Sequence, residues 1–383
     1  MGTRVLERPI SYGVLSSAPP TRCGLATFTA ALGTTLEDLG AQVSLVRVLD
    51  SPGQTSTSEF REIGELVASD SSSINRTIAA LNSCDVAIVQ HEYGIYGGRD
   101  GEDVVTVLEG LFIPSIAILH TVVQRPTRHQ IEVLNAVIAN VDVAVVMTQA
   151  AKTTLLRLHE VGDTTIEVIP HGATVSASPS VRRDGERPTI LTWGLIGPGK
   201  GIEWVIDALA QLGDLVPKPQ YIIAGQTHPK VLALDGDTYR HSLMRRAASQ
   251  GVNGMVQFDN SYRDLASLNR LIASADVIVL PYDSKDQATS GVLVDAIAAG
   301  RPVVATAFPH AVELLASGAG FTVPHRDATA LATALRRILA NPTLADAMAA
   351  EARILATGLN WRAVAAQFQG VSRRLLEYAD VPS

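Results

Sequence analysis

Cysteine is almost absent from this chain: Cys23 and Cys84 are the only two in 383 residues, and neither has a neighbour at C-x-x-C or zinc-ligand spacing. That counts against a disulfide-stapled scaffold and a structural zinc site, and a reducing compartment is expected. Aromatic residues make up only 5% of the chain, and positive charge is in deficit, with 31 Lys and Arg against 38 Asp and Glu for a net charge of -7. Such a balance lacks the electrostatic footprint of a nucleic-acid binder or a polybasic membrane-surface protein. An acidic ligand must therefore be met by a few local cations. No apolar run approaches the roughly 20 residues that span a bilayer. The opening stretch MGTRVLERPISYGVLSSAPP has no apolar core followed by a small-residue cleavage site. A cytoplasmic protein without a transmembrane segment is the expectation.

Several motifs are missing as well. There is no G-x-G-x-x-G, so dinucleotide binding is unsupported; no G-x-S-x-G elbow of an α/β hydrolase; and no H-x-x-x-H or matching carboxylate spacing for a metal. What is present is a hydrophobic fraction of 46%, enough for a large core, over a length that suits two domains. Short β-branched runs such as VSLVRV, DVAIVQ, PSIAIL and DVIVLP alternate with amphipathic stretches. Runs apolar on both faces read as parallel strands buried under helices, a doubly wound α/β sheet. The pattern pauses in a Ser-, Arg-, Gly- and Pro-rich stretch and then restarts. The expected organisation is an N-terminal domain over 1–174, a linker over 175–187, a second domain over 188–358 and a closing helix over 359–383 that packs back on the N-terminal domain. The segment TSEFREIGELVA mixes signs and reads as a solvated helix face. Ligands of open α/β sheets bind at the carboxyl ends of the strands, so a cleft between two such domains is the default site.

Four segments could carry chemistry there. In SAPPTRCGLATFT, Gly24 precedes a helix expected to start near Ala26, where backbone amides can approach a phosphate and Thr27 or Thr29 can cap. An ordinary βα turn explains the same residues. In WGLIGPGKGIEWVIDAL, Lys200 stands just before a helix, suited to neutralise a diphosphate; Gly201 follows it, so this is not a Walker motif, and a solvated lysine is the bland alternative. In KDQATSGVLVDAIAAG, a loop holding Asp283, Asp286 and Gln287 leads into a helix near Ser290 and Gly291, with Asp295 eight positions beyond Gln287. Finally, His91, His120 and His171 each follow an apolar run and so lie near the carboxyl end of a strand.

These segments, in order and over nearly the whole chain, resemble the retaining glycosyltransferases of family 4. CGLATFT, QHEYGIYGG, LHTV, VIPHG, GPGKGIE, AGQTHP, VLPY followed by SGVL, and AAGRPVVAT look most like the branch of bacterial GDP-mannose-dependent α-mannosyltransferases. The resemblance implies the α/β GT-B fold, two Rossmann-like doubly wound domains facing across a cleft. It implies a nucleotide-sugar donor, GDP-mannose, a glycan acceptor, and no cofactor or metal. It assigns Gly24 and Lys200 to the diphosphate, His120 to the neighbourhood of the sugar C6 hydroxyl, and Gln287 to the C3 and C4 hydroxyls. Asp295 falls to the ribose, and the amides around Thr289, Ser290, Gly291 and Val292 to the phosphates. His91, Glu92, Tyr93 and Arg99 are candidate acceptor contacts. Two departures stand out: Leu195 and Gly197 occupy the positions where the family carries an arginine, with Arg22 a candidate replacement, and both glutamates of the family's E-x7-E are replaced, by Gln287 and Asp295. The implied reaction is retaining front-face transfer to a mannose-containing oligosaccharide or polysaccharide, as in α-1,4 elongation of methylmannose polysaccharide. A UDP- or ADP-glucose donor stays open, as does a nucleotide-sugar-binding or epimerase protein of the same fold.

Overall fold

The computed structural model describes residues 8–379 apart from 22, 54, 56, 69, 176–185 and 262, with only the backbone described at 230 and 379. The candidate cation Arg22 and most of the expected linker lie outside the described residues. The chain divides into two compact units, the first running to Gly172 and resuming at Trp361, the second Ala173–Asn360.

The first unit contains β1 (Ser11–Ser16), α1 (Gly24–Asp38), β2 (Gln42–Leu49), β3 (Arg61–Val67), α2 (Ser71–Leu81), β4 (Val86–His91) and α3 (Asp103–Glu109). It continues with β5 (Ser115–Leu119), α4 (Arg128–Ala139), β6 (Val143–Val146), α5 (Gln149–Leu158) and β7 (Thr165–Val168). The second contains β8 (Thr189–Trp193), α6 (Ile202–Ala210), β9 (Gln220–Ala224), α7 (Pro229–Asp235), α8 (Thr238–Ser249), β10 (Val256–Asp259), α9 (Leu265–Ser274) and β11 (Val277–Leu280). It ends with α10 (Gly291–Ala298), β12 (Val303–Thr306), α11 (Pro309–Leu315), β13 (Gly320–Val323), α12 (Ala328–Leu339) and α13 (Pro342–Leu359), after which α14 (Trp361–Ala379) belongs again to the first unit. Among the described residues no helix is long and apolar enough to cross a membrane.

Each unit is a parallel sheet: β3-β2-β1-β4-β5-β6-β7 in the first and β10-β9-β8-β11-β12-β13 in the second. The strands are apolar on both sides because both faces are covered. In β11, Val277 and Val279 enter the core beneath α6, α8 and α12, while Ile278 and Leu280 enter the core beneath α10, α11 and α13. In the first unit Phe28, Leu32 and Leu36 recur at helical spacing along α1 and meet Val364, Phe368 and Val371 of α14 over Val14, Ile88 and Ile118. Both sheets reverse strand order once, between β1 and β4 and between β8 and β11. At such a reversal the flanking crossovers leave on opposite faces and a crevice opens at the carboxyl ends.

Two local expectations are corrected, and one strand was not anticipated. The segment read as a solvated helix face is the edge strand β3, whose period of two is broken by a register shift at Leu45/Val46 in its pairing with β2. Its charges are anchored: Arg47 on β2 is 4% exposed and pairs with Glu62 at 3.0 Å and Glu65 at 2.5 Å. Helix α1 starts at Gly24 and is capped by Cys23, whose sulfur accepts from the Ala26 amide, so neither Thr27 nor Thr29 is the cap. The short strand β13 carries too little pattern to be seen in the sequence.

Phe368 is 1% exposed in the shared core of α1 and α14. Phe368→Ala is therefore expected to cost about 3–5 kcal/mol in a denaturant melt; a loss below about 1 kcal/mol would show α14 to be peripheral to its unit.

Candidate functional site

In the second unit the loops after β8 and β11 flank the strand-order reversal. The β8 loop needs two left-handed glycines, Gly199 at φ 86° and Gly201 at φ 66°, and a Cβ on Gly201 would stand 1.8 Å from the Pro281 carbonyl oxygen. The Asp283 amide donates to the Gly199 carbonyl at 2.9 Å, tying one loop to the other. Lys200 is thereby placed with its Nζ 4.6 Å from the centre of the Tyr282 ring. Burial lowers its pKa, and no carboxylate pairs with it among the described residues. Tyr282 stacks on Phe308 at 5.5 Å, and its carbonyl accepts from Thr306 Oγ1 at 2.7 Å and from His325 Nδ1 at 2.8 Å. Asp283 accepts from Trp204 Nε1 at 3.0 Å and pairs with Arg326 at 3.1 Å.

The β11 loop then runs through Gln287 and Thr289 into α10, whose N-cap Ser290 accepts from the Leu293 amide at 3.2 Å. The Ser290 amide is itself occupied, donating to His310 Nδ1 at 2.9 Å. It is thus not available to a phosphate, and the expected cradle reduces to the amides of Thr289, Gly291 and Val292, the last two being first-turn donors without an intrahelical acceptor. Asp295 lies in the second turn of α10, half-buried and with no described hydrogen bond to its carboxyl, and burial pushes its pKa up to about 7.

In the first unit the loops after β1, β4 and β5 converge. A chain of hydrogen bonds orients His120. Thr29 Oγ1 donates to the Leu25 carbonyl at 2.8 Å, lies 2.8 Å from Ser16 Oγ, and accepts from Gln90 Nε2 at 2.9 Å. Gln90 Oε1 is left to accept from His120 Nε2. The proton then sits on Nε2, and Nδ1 keeps a lone pair. Phe28 is the hub of the aromatic packing, edge-on to His120 at 4.9 Å, His171 at 5.1 Å and Trp361 of α14 at 5.0 Å. Burial lowers the pKa of His91 to about 4, of His171 to about 4, and, with the neighbouring His171 and His91, of His120 to about 3. All three are neutral at pH 7.

The candidate acceptor residues fare unequally. Glu92 accepts from Thr121 Oγ1. His91 is fully buried with both ring nitrogens unpartnered, its ring 5.0 Å from that of Tyr93, whose buried hydroxyl is also unpartnered. Arg99 is 71% exposed and lies 3.8 Å from its neighbour Asp100, with no described contact to the other three. A Cβ on Gly24 would meet nothing within 4 Å, so the α1 N-terminus is open above it. Gln90, Tyr282 and His310 were not singled out from the sequence, and Thr29 was considered there only as a helix cap. Gln90 and Tyr282 lie inside the motifs QHEYGIYGG and VLPY, and His310 stands four residues past the end of β12. Among the described residues no group of three or more His, Cys, Asp or Glu is arranged to hold a metal ion.

Residues 187–341 match the family "Glycosyl transferases group 1". The GDP-mannose-dependent alpha-(1-6)-phosphatidylinositol monomannoside mannosyltransferase of Mycolicibacterium smegmatis is 30% identical over 184 residues, 46% of this chain and 45% of that one. The chain spans about half the length of the curated relatives it matches. Among solved structures, sucrose-phosphate synthase from Thermosynechococcus elongatus superposes with a TM-score of 0.74 at 21% identity, covering 96% of this chain and 100% of that one. Anabaena HepE in complex with UDP gives 0.75 at 16% identity, over 94% and 99%. These likenesses show the fold: two Rossmann-like parallel-sheet domains of the GT-B kind.

The Asp295 carboxyl generates a pH prediction. Its folded pKa of about 7 exceeds the ordinary 3.8, so between these values the folded state holds a proton that the unfolded state has lost. Its contribution to stability is present below about pH 4 and is lost as pH rises towards 7, by roughly 1 kcal/mol per pH unit. Melting temperatures of wild type and Asp295→Asn at pH 5 and pH 8 check this: the variant should gain on wild type at pH 8, and an equal gap at both pH values would refute the burial argument.

Proposed function

We propose that this chain, whose residues 187–341 are a group 1 glycosyltransferase domain on a GT-B scaffold, is a retaining mannosyltransferase using GDP-mannose as donor. It transfers mannose to a hydroxyl of a mannose-containing oligosaccharide or polysaccharide, without a metal. The observation that carries the reading is Lys200: a half-buried cation with no described counter-ion, at the strand-order reversal beside the open first turn of α10. A diphosphate is the ligand such a cation and such amides fit. The mannose part rests on the resemblance in the sequence and on the Mycolicibacterium relative, whose name states GDP-mannose dependence.

In this reading the bond from the anomeric carbon to the diphosphate breaks first, and its electron pair leaves with the diphosphate. Lys200 and the Thr289, Gly291 and Val292 amides stabilise that charge as it develops. The acceptor hydroxyl attacks on the face the diphosphate vacates and gives its proton to the departing phosphate oxygen, which preserves the anomeric configuration. Gln287 holds the C3 and C4 hydroxyls and Asp295 the ribose. His120, neutral and already spending its Nε2 proton on Gln90, offers Nδ1 as an acceptor to the C6 hydroxyl. A glucosyl transfer from UDP- or ADP-glucose is the second reading, favoured by the uncharged amide at Gln287.

Calorimetric titration with GDP-mannose, UDP-glucose and ADP-glucose in EDTA tests both. GDP-mannose should bind selectively, and Lys200→Ala should lower turnover by about a hundredfold or more, as losing one charge-stabilising donor does. Selective binding of UDP- or ADP-glucose would move the assignment to the second reading, and no binding of any donor would end both.

A further inference from the structure

Resting on the donor-site reading, we infer that His310 is a positioning residue that holds the segment from Gln287 to Gly291 in its donor-binding shape. It lies outside every motif discussed above and is 4% exposed. Two of its atoms grip the segment at two points. The ring Nδ1 accepts the Ser290 amide at 2.9 Å, and the His310 backbone amide donates to the Gln287 carbonyl at 3.5 Å.

Each contact has a local cause. Ser290 is the N-cap of α10, and its hydroxyl is already engaged by the Leu293 amide. Its own N–H points away from the helix and needs an acceptor from another element, because an unpaired buried amide is costly. On the other side, α11 opens with Pro309, which has no N–H, so His310 carries the first donor of that helix, and the Gln287 carbonyl answers it. Strand β12 lies beside β11, which brings the two loop ends together across one strand spacing. The same short segment also supports the lysine platform, since Thr306 binds the Tyr282 carbonyl and Phe308 stacks on its ring. Residues 306–310 thus support the parts of the site that would hold the diphosphate and the sugar. Because Nδ1 must accept, the ring proton belongs on Nε2.

The test separates an acceptor at this point from mere filling of the core. In His310→Asn the side-chain oxygen stands close to where Nδ1 lies, whereas His310→Leu fills similar volume with no acceptor. Calorimetry with GDP-mannose should show binding weakened about tenfold or more in the Leu variant and within about threefold of wild type in the Asn variant. The Ser290 amide should exchange its hydrogen faster in the Leu variant than in the Asn variant. A purely apolar packing role predicts the reverse order, with Leu better tolerated. Wild-type binding in the Leu variant, or equal weakening in both while wild type binds GDP-mannose selectively and Lys200→Ala weakens that binding, would overturn the inference and leave the donor reading standing. Absence of nucleotide-sugar binding in the wild type would overturn the reading and this inference with it. Should the Leu variant not fold, His310→Val takes its place under the same outcomes.

Discussion

The second unit depends on how close Gly201 comes to the Pro281 carbonyl, a gap that no side-chain carbon could enter. That contact presses the β8 loop against the β11 loop, and the hydrogen bond from Asp283 to Gly199 closes it on the other side. A lysine at an unconstrained helix start would extend into water. Here it is held over an aromatic face, which keeps the ammonium partly desolvated without giving it a counter-ion. The ring contributes about 0.5–2 kcal/mol, and an anion of two or more charges would hold the ammonium more strongly. The arrangement holds a cation in readiness instead of satisfying it, and such preorganisation lets a site stabilise developing charge without rearranging.

The two units differ in electrostatic character. In the first, three histidines gather around Phe28, and all are neutral because burial suppresses their protonation. They offer lone pairs and N–H groups but no charge, which suits hydroxyls and does not suit phosphates. In the second, the polar groups include the cation Lys200, helix-end amides, the acid Asp295 and the Asp283–Arg326 ion pair.

The sheet architecture was legible in the sequence because buried parallel strands such as VIVL of β11 leave continuous apolar runs with helices between them. β3 was not, because its charges are satisfied by Arg47 across an edge pairing with a shifted register, a relation that no local period encodes. The glycine-rich and histidine-bearing motifs fall in loops at strand ends, where a βα loop leaves a local signature in the sequence. The roles of Gln90, Thr29 and His310 were not legible for one shared reason: each acts through a bond to a residue from 20 to 61 positions away. Arg99 shows the opposite failure, a residue near a motif in sequence whose side chain the structure sends to solvent.

The departures from the family pattern are best understood together. The resemblance implies an arginine where Leu195 or Gly197 stands and glutamates where Gln287 and Asp295 stand. Losing one cation and one anion together leaves the formal balance of the crevice unchanged when Asp295 is ionised, and more positive when it is protonated. Burial puts that titration at about pH 7 instead of the ordinary carboxyl range. Without the arginine, a fully ionised pair of acids beside a diphosphate would be opposed by Lys200 alone. An amide in place of one acid, and a reluctant acid in place of the other, remove most of that repulsion while keeping hydrogen-bond acceptors for hydroxyls. On the proposed reading the bound diphosphate and the ribose hydroxyls then pull on Asp295 in opposite directions, the first favouring its proton and the second its charge. The acid's pKa therefore links donor binding to proton uptake or release, and the sign of that linkage reports which neighbour prevails.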